Sequence, residues 1–260
     1  MTARDGEHLR EVWRRGATAY GVWSVLADAA VGELVAASPF DYVCVDLQHG
    51  LASPADLPGL LTGMRAAGRA PLVRPAWNEP AQLMRALDLG ACGVVVPMVE
   101  SADDARRAVA ACRYPPAGAR SWGPSWGDVR ADAGRPPAEQ DADALCLVMV
   151  ETRSAVDALD EILAVPGLDG VYVGPNDLAL SCGHGRAGYR DSAAVDALLT
   201  DVVDRCRGAG LVVGLHCADP AMGVEWAGRG VGMVTVAQDG TLLRTALAGT
   251  WATLPGVPAG

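Results

Sequence analysis

The chain has 260 residues, half of them hydrophobic and a fifth charged, with a mean hydropathy of +0.18; it is long enough for one large core and too apolar for a disordered or low-complexity chain. All 21 basic residues are arginine, against 31 Asp and Glu. Without lysine the chain cannot form a Schiff base with a carbonyl substrate, hold pyridoxal phosphate through its own amine or build a P-loop. A net charge of −10 and a pI near 4.8 argue against a general nucleic-acid binder, so an anionic substrate needs a local positive site. The seven cysteines form no Cys-x-x-Cys pair, which points to neither a disulfide framework nor a zinc ribbon. Several lie in apolar runs, Cys44 and Cys146 among them, and read as small buried hydrophobes. No stretch approaches the roughly 18 uninterrupted apolar residues of a membrane span, and the charged start has no signal-like apolar run. The expectation is a cytoplasmic enzyme with neither membrane nor nucleic-acid partners.

Along the chain, short apolar, β-branched runs predict strands at 19–25, 42–47, 71–75, 92–98, 145–151, 169–174, 211–216 and 231–236. Helical patterns at 54–67, 79–89, 101–113, 154–164, 192–209 and 219–229 stand between them, and a last helix starts near 239. Ser53, Ser101 and Asp219 read as N-caps. Near-continuously apolar strands alternating with helices imply a parallel sheet covered on both faces, and eight such units predict an α/β fold, a (β/α)8 barrel forming one domain over residues 1–260. A doubly wound open sheet is the alternative; no Gly-rich dinucleotide turn follows the first strand. Residues 114–141 interrupt the rhythm with a Pro-, Gly- and Trp-rich connection, a length that points to a functional loop, a mobile one or a subunit contact.

Catalytic groups of such barrels sit at the C-terminal ends of strands. Those ends carry Asp46 and His49 after strand two, Arg74 after strand three, Glu151 after strand five, and Gly174, Pro175, Asn176 and Asp177 after strand six. Glu151 and Asp177, with open positions left for water and substrate, suit an oxygen-preferring cation such as Mg²⁺ or Mn²⁺. Either could instead serve a helix start or a turn. His49 is a candidate base that Asp46 could orient, or a hydrogen-bonded surface residue. Arg74 offers a permanent cation and bidentate donors to a carboxylate or enolate, unless it pairs with an internal carboxylate. His8, His184 and His216 have no such company and read as structural.

The segments FDYVCVDLQHG, PLVRPAWNEP, LDLGACGVVVPMVESADDARRAV, YPPAGARSWG and VMVETRSAVDALDEILAVPGLDGVYVGPNDLALSCG resemble those of the HpcH/HpaI aldolase family, the class II pyruvate aldolases related to citrate lyase β-like proteins. The resemblance runs from about residue 15 to about residue 250. It implies a (β/α)8 barrel of the phosphoenolpyruvate/pyruvate type, often a hexamer with the last helix exchanged between subunits, and a divalent cation (Mg²⁺, Mn²⁺ or Co²⁺) on Glu151 and Asp177. The 26-residue separation of that pair and the 25-residue separation of His49 and Arg74 agree with the family pattern. It further implies His49, Arg74 and Asp46 as catalytic groups, Asp88 reaching the neighbouring subunit's site, and Trp23, Arg74, Gly174, Pro175 and Asn176 as substrate contacts. Gln48, Met149 and Ser121 depart from the family's usual glutamate, glutamine and glycine, which bears on pocket polarity and substrate choice.

Both lines converge on carbon–carbon bond chemistry at a 2-oxo acid, and with the resemblance the expectation is metal-dependent retro-aldol cleavage of a 4-hydroxy-2-oxo acid to pyruvate and an aldehyde. Rivals are an oxaloacetate decarboxylase or macrophomate synthase-like enzyme using the same enolate, a citrate lyase-type acyl-CoA enzyme, and a barrel without catalysis.

Overall fold

A computed structural model describes residues 5–69, 71–123 and 135–255. Eight parallel strands, β1 (Ala19–Ser24), β2 (Tyr42–Asp46), β3 (Leu72–Arg74), β4 (Gly93–Val96), β5 (Leu145–Val150), β6 (Gly170–Val173), β7 (Val212–His216) and β8 (Met233–Gln238), follow one another around a closed barrel. The pairing of β8 with β1 completes the ring and excludes the open sheet. The helices are α1 (Asp5–Arg14), α2 (Ala29–Ala36), α3 (Leu57–Ala66), α4 (Pro80–Asp88), α5 (Ala102–Cys112), α6 (Pro137–Asp143), α7 (Arg153–Asp157), α8 (Leu159–Leu163), α9 (Pro175–Ser181), α10 (Ala193–Gly208), α11 (Pro220–Gly228) and α12 (Asp239–Ala252).

All eight expected strands are present, and the helices differ from expectation in identifiable ways. Ser101 and Asp219 cap as expected, accepting from the N–H of Asp104 and of Met222. Ser53 does not: its N–H and hydroxyl both donate to the Asp56 carboxylate, closing a turn that delays α3 to Leu57. The helix expected at 154–164 is divided at Ala158 into α7 and α8. Four short helices, α1, α2, α6 and α9, went unanticipated. Of the 114–141 connection, 137–143 is the helical α6, and residues 124–134 lie outside the described residues. All seven cysteines are free, six of them buried.

Strand side chains alternate between two apolar layers. Val43, Val45, Cys146, Val148, Val150, Val171 and Val173 face outward into the layer shared with the helices. Tyr42, Cys44, Leu72, Val95, Leu145, Leu147, Met149, Tyr172 and Met233 fill the interior. Gly21 and Gly214 make room there, since a Cβ would lie 2.2 Å from the Tyr42 ring and 2.5 Å from that of Tyr172. Both tyrosine hydroxyls meet Thr235 Oγ1, at 2.8 and 2.6 Å. The N-terminal mouth is plugged by α1: Leu9 and Val12 join the interior cluster, and the Arg10 guanidinium donates to the Ala144 carbonyl and the Asp169 carboxylate.

Candidate active site

The alternation that fills the barrel also decides what reaches its C-terminal rim. Continuing the inward register of each strand places Trp23 (β1), Asp46 (β2), Arg74 (β3), Met149 and then Glu151 (β5), Gly174 (β6) and His216 (β7) last on the inner side. A cavity of about 170 Å³ opens there, and Trp23, Asp46, His49, Arg74, Gly174, Pro175, Asn176 and Asp177 all line it. Val25, Met149, Tyr172, His216 and Gln238 complete the lining.

Asp46 and Arg74 are register partners on β2 and β3. Their side chains form a buried fork: Nε of Arg74 donates to Oδ1 of Asp46 at 2.8 Å and Nη2 to Oδ2 at 2.6 Å. Burial alone would raise the Asp46 carboxyl, but the hydrogen bonds and charge of Arg74, with the N–H groups of Gln48 and His49, bring it below the usual carboxylate range. Burial likewise opposes the Arg74 cation, and Asp46 more than offsets it. The expected orienting of the His49 imidazole by Asp46 is corrected: Asp46 shapes the His49 turn through its backbone N–H and spends its carboxylate on Arg74. The arginine keeps a nitrogen for the cavity, because among the described residues Nη1 meets the Met149 thioether alone, a weak acceptor 3.9 Å away.

Glu151 is buried with an asymmetric environment. Its Oε1 accepts from the Met98 N–H at 2.8 Å, and Met98 presents that donor from a left-handed backbone (φ 54°) unusual for a side-chain-bearing residue. Its Oε2 faces Gly174, where a Cβ would sit only 3.1 Å away. Burial pushes the Glu151 carboxyl up, and the nearby Asp177 charge adds to it, while the Met98 N–H, Arg74 and His49 act the other way. Asp177 itself lies in the first turn of α9. Asp88 does not line the cavity; it is paired within the chain to Arg120 (2.8 Å), whose guanidinium covers the Tyr114 ring at 4.6 Å.

The matching model is that of the HpcH/HpaI aldolase/citrate lyase family, over residues 19–246. The chain belongs to that family. A 4-hydroxy-2-oxo-heptane-1,7-dioate aldolase of Salmonella arizonae is 38% identical over 240 residues, 90% of this chain and 89% of the relative. A 2-dehydro-3,6-dideoxy-6-sulfogluconate aldolase of Pseudomonas putida is 35% identical over 228 residues, 87% of this chain and 88% of the relative. The crystal structure of a family protein from Burkholderia cenocepacia superposes with a TM-score of 0.85 at 31% identity, covering 95% of this chain and 97% of that one.

Within this family member, His216 is the residue that reading the sequence misplaced. It lines the cavity, its ring edge-on to Trp23 at 5.2 Å, rather than serving only as structure. The rule that selected Asp46 and Arg74, the last inward residue of each strand, selects His216 as well. Gln238, at the end of β8, lies beyond that rule: counting in twos from Met233 and Thr235 leads to Ala237, and a register shift against β1 brings Gln238 opposite Trp23 instead.

Proposed function

We propose that the protein is a divalent-metal-dependent aldolase that reversibly cleaves a 4-hydroxy-2-oxo acid to pyruvate and an aldehyde. The observation that carries this reading is the Arg74 guanidinium, clamped by Asp46 and offering Nη1 to a cavity also lined by His49 and Asp177, with Glu151 beside it. That is one base, one fixed cation with its Asp46 partner, and two further carboxylates on one rim, in a chain with no lysine for the Schiff-base route.

Among the described residues no three His, Cys, Asp or Glu side chains converge into a ready metal cage. The donors fit an open site instead. Glu151 has one oxygen fixed by Met98 and the other beside the bare Cα of Gly174, and Asp177 approaches from the next strand's loop. An all-oxygen pair suits Mg²⁺ or Mn²⁺, with Co²⁺ third. When bound there, the cation supplies the electron-withdrawing pole that a protonated imine supplies in lysine aldolases.

The chain's own residues account for the rest. Arg74 receives the substrate carboxylate and developing enolate on Nη1, held in place by the two bonds to Asp46. His49 removes the proton of the 4-hydroxyl; the C3–C4 electron pair passes into the enolate, the aldehyde departs, and protonation at C3 completes pyruvate. Trp23, Met149 and Tyr172 provide an apolar floor. The helix α12 bears on assembly: all its side chains from residue 241 onward are exposed, Leu242, Leu243, Leu247 and Trp251 included. That apolar face supports packing on a neighbouring subunit, as in a hexamer with exchanged last helices. Asp88 belongs to the same proposal as a group serving the neighbour's site.

The test is pyruvate release from a panel of 4-hydroxy-2-oxo acids, with and without EDTA. Release that EDTA abolishes and Mn²⁺ restores is expected. Full activity in metal-free buffer, or CO₂ release from oxaloacetate with no aldol cleavage of any substrate, would overturn the reading.

A further inference from the structure

The rim of the cavity divides by charge. Asp46 and His49 from β2, Arg74 from β3, Glu151 from β5 and Asp177 after β6 make one arc. The neighbouring strands β7, β8 and β1, contiguous in the closed barrel, contribute His216, Gln238 and Trp23. Each is polar and uncharged. Burial, then the Arg74 charge, pushes His216 down to about 4 despite Asp46 acting the other way, so at neutral pH its ring carries one N–H donor and one acceptor nitrogen. The ring is held in place by its edge-on contact with Trp23, which in turn stacks on Tyr172 at 5.3 Å. Among the described residues the buried Trp23 indole N–H has no hydrogen-bond partner, and Gln238 has its carbonyl occupied by the Thr241 hydroxyl, leaving its amide.

Resting on the aldolase reading, we propose that His216 is a specificity-determining residue, binding a hydroxyl group on the aldehyde half of the substrate in a subsite completed by Gln238 and Trp23, and that the acceptors are neutral, hydroxylated aldehydes. The direction follows from the reaction. The carboxylate and 2-oxo group must lie against Arg74 and the carboxylate pair, so C4 meets His49 at the β2 edge next to β1, and what lies beyond C4 extends toward the uncharged arc. Charge points the same way. Among the described residues lining the cavity Arg74 is the single fixed cation, and its fork is already matched to Asp46. A second anionic group on the aldehyde half would meet no fixed cation among His216, Gln238 and Trp23, whereas a hydroxyl finds a donor, an acceptor or both.

The experiment runs the reaction in the aldol direction with Mn²⁺-loaded protein and pyruvate, offering glyceraldehyde, propanal or succinic semialdehyde. Wild type is expected to show kcat/KM for glyceraldehyde at least about tenfold above either of the others, the scale of one neutral hydrogen bond. His216→Leu should lower glyceraldehyde to the level of propanal, through KM for the aldehyde, and His216→Gln should recover part of the difference. A preference of wild type for succinic semialdehyde, or an equal loss of glyceraldehyde and propanal in His216→Leu, overturns the assignment. Exchange of the pyruvate methyl protons into D₂O, followed by NMR on wild type without aldehyde, separates the two levels. No exchange removes the aldolase reading and this inference with it; exchange without a hydroxyl preference removes the inference alone.

Discussion

The two mouths of the barrel are built from the same alternation and end in opposite chemistry. At the N-terminal mouth the inward residues are Ala19, Leu72, Leu145 and Met233, and α1 covers them with Leu9 and Val12. At the C-terminal mouth the inward residues are Trp23, Asp46, Arg74, Glu151 and His216, and the surface stays open as a cavity. Burial stabilises the first mouth. In the second, burial works against most of what it holds: it raises the Glu151 carboxyl, lowers His216, and is offset at Asp46 and Arg74 chiefly because they bind each other. Stability and chemistry are thus segregated along the barrel axis, and substitutions at the two ends should separate in what they change.

The largest effect is expected at Glu151. Glu151→Gln keeps the shape and the acceptor for the Met98 N–H but removes the charge, so pyruvate release should fall by about a thousandfold or more. The melting temperature should hold or rise, since a buried carboxylate is exchanged for a neutral amide. Added Mn²⁺ should raise the melting temperature of wild type and not of the variant; an equal Mn²⁺ shift in both would break the assignment. At the other mouth, Leu9→Ala should cost about 3 kcal/mol of stability by leaving a cavity under α1, with kcat of the folded fraction unchanged. Denaturant unfolding beside initial rates decides it, and a fall in kcat matching that of a rim variant would mean that the ends are coupled.

Arg74→Lys sharpens the comparison within the rim. Lysine can keep a charge near Asp46 but cannot serve Asp46 with two donors and the cavity with a third. Cleavage should slow by about a hundredfold, the scale of one lost oxyanion donor, with a smaller loss of melting temperature than in Leu9→Ala. An unchanged kcat with a lowered melting temperature would leave Arg74 as a purely structural partner of Asp46.

Much of this contrast was legible in the sequence, for a physical reason. Strands buried on both faces read as unbroken apolar runs, so a charged residue at the end of such a run stands out: Asp46 after YVCV, Arg74 in PLVRP, Glu151 after LCLVMV. His216 ends LVVGLH in the same way, but an imidazole without charged sequence neighbours reads as structural, and its contact with Trp23 comes from the other end of the chain. The fork between Asp46 and Arg74 depends on the β2–β3 register, and the N–H that Met98 gives to Glu151 depends on a left-handed turn. Neither leaves a mark in composition or periodicity. The short helices were hidden for a related reason: α2 is apolar along most of its length, and α9 opens with the same Pro175-Asn176-Asp177 that reads as a site loop.

The smallest effect concerns Gly174, where the rim allows a change of space without a change of charge or backbone. Its φ of −94° and ψ of 93° are extended values open to any residue, so Gly174→Ala carries no conformational cost of its own. The added methyl would lie 3.1 Å from Oε2 of Glu151 and 3.3 Å from the Met149 methyl, tighter than a relaxed contact, and the thioether can yield more easily than a carboxylate fixed through Oε1 by Met98. A displacement of Oε2 by a few tenths of an ångström would disturb one of the two proposed ligands while leaving Arg74 and His49 in place. Mn²⁺ affinity should therefore weaken by about tenfold, a modest fraction of what a full ångström of misplacement can cost. At saturating Mn²⁺ kcat should recover most of its wild-type value, and the melting temperature should fall by only a few degrees, because the buried Gly174 lines the cavity and the flexible Met149 thioether beside it can yield. Titration of Mn²⁺ by calorimetry, beside rates at high and low metal, distinguishes the outcomes. Unaltered affinity with lowered kcat would mean that the methyl acts on substrate rather than on Glu151, and that the bare Cα at 174 serves the 2-oxo acid instead of the cation.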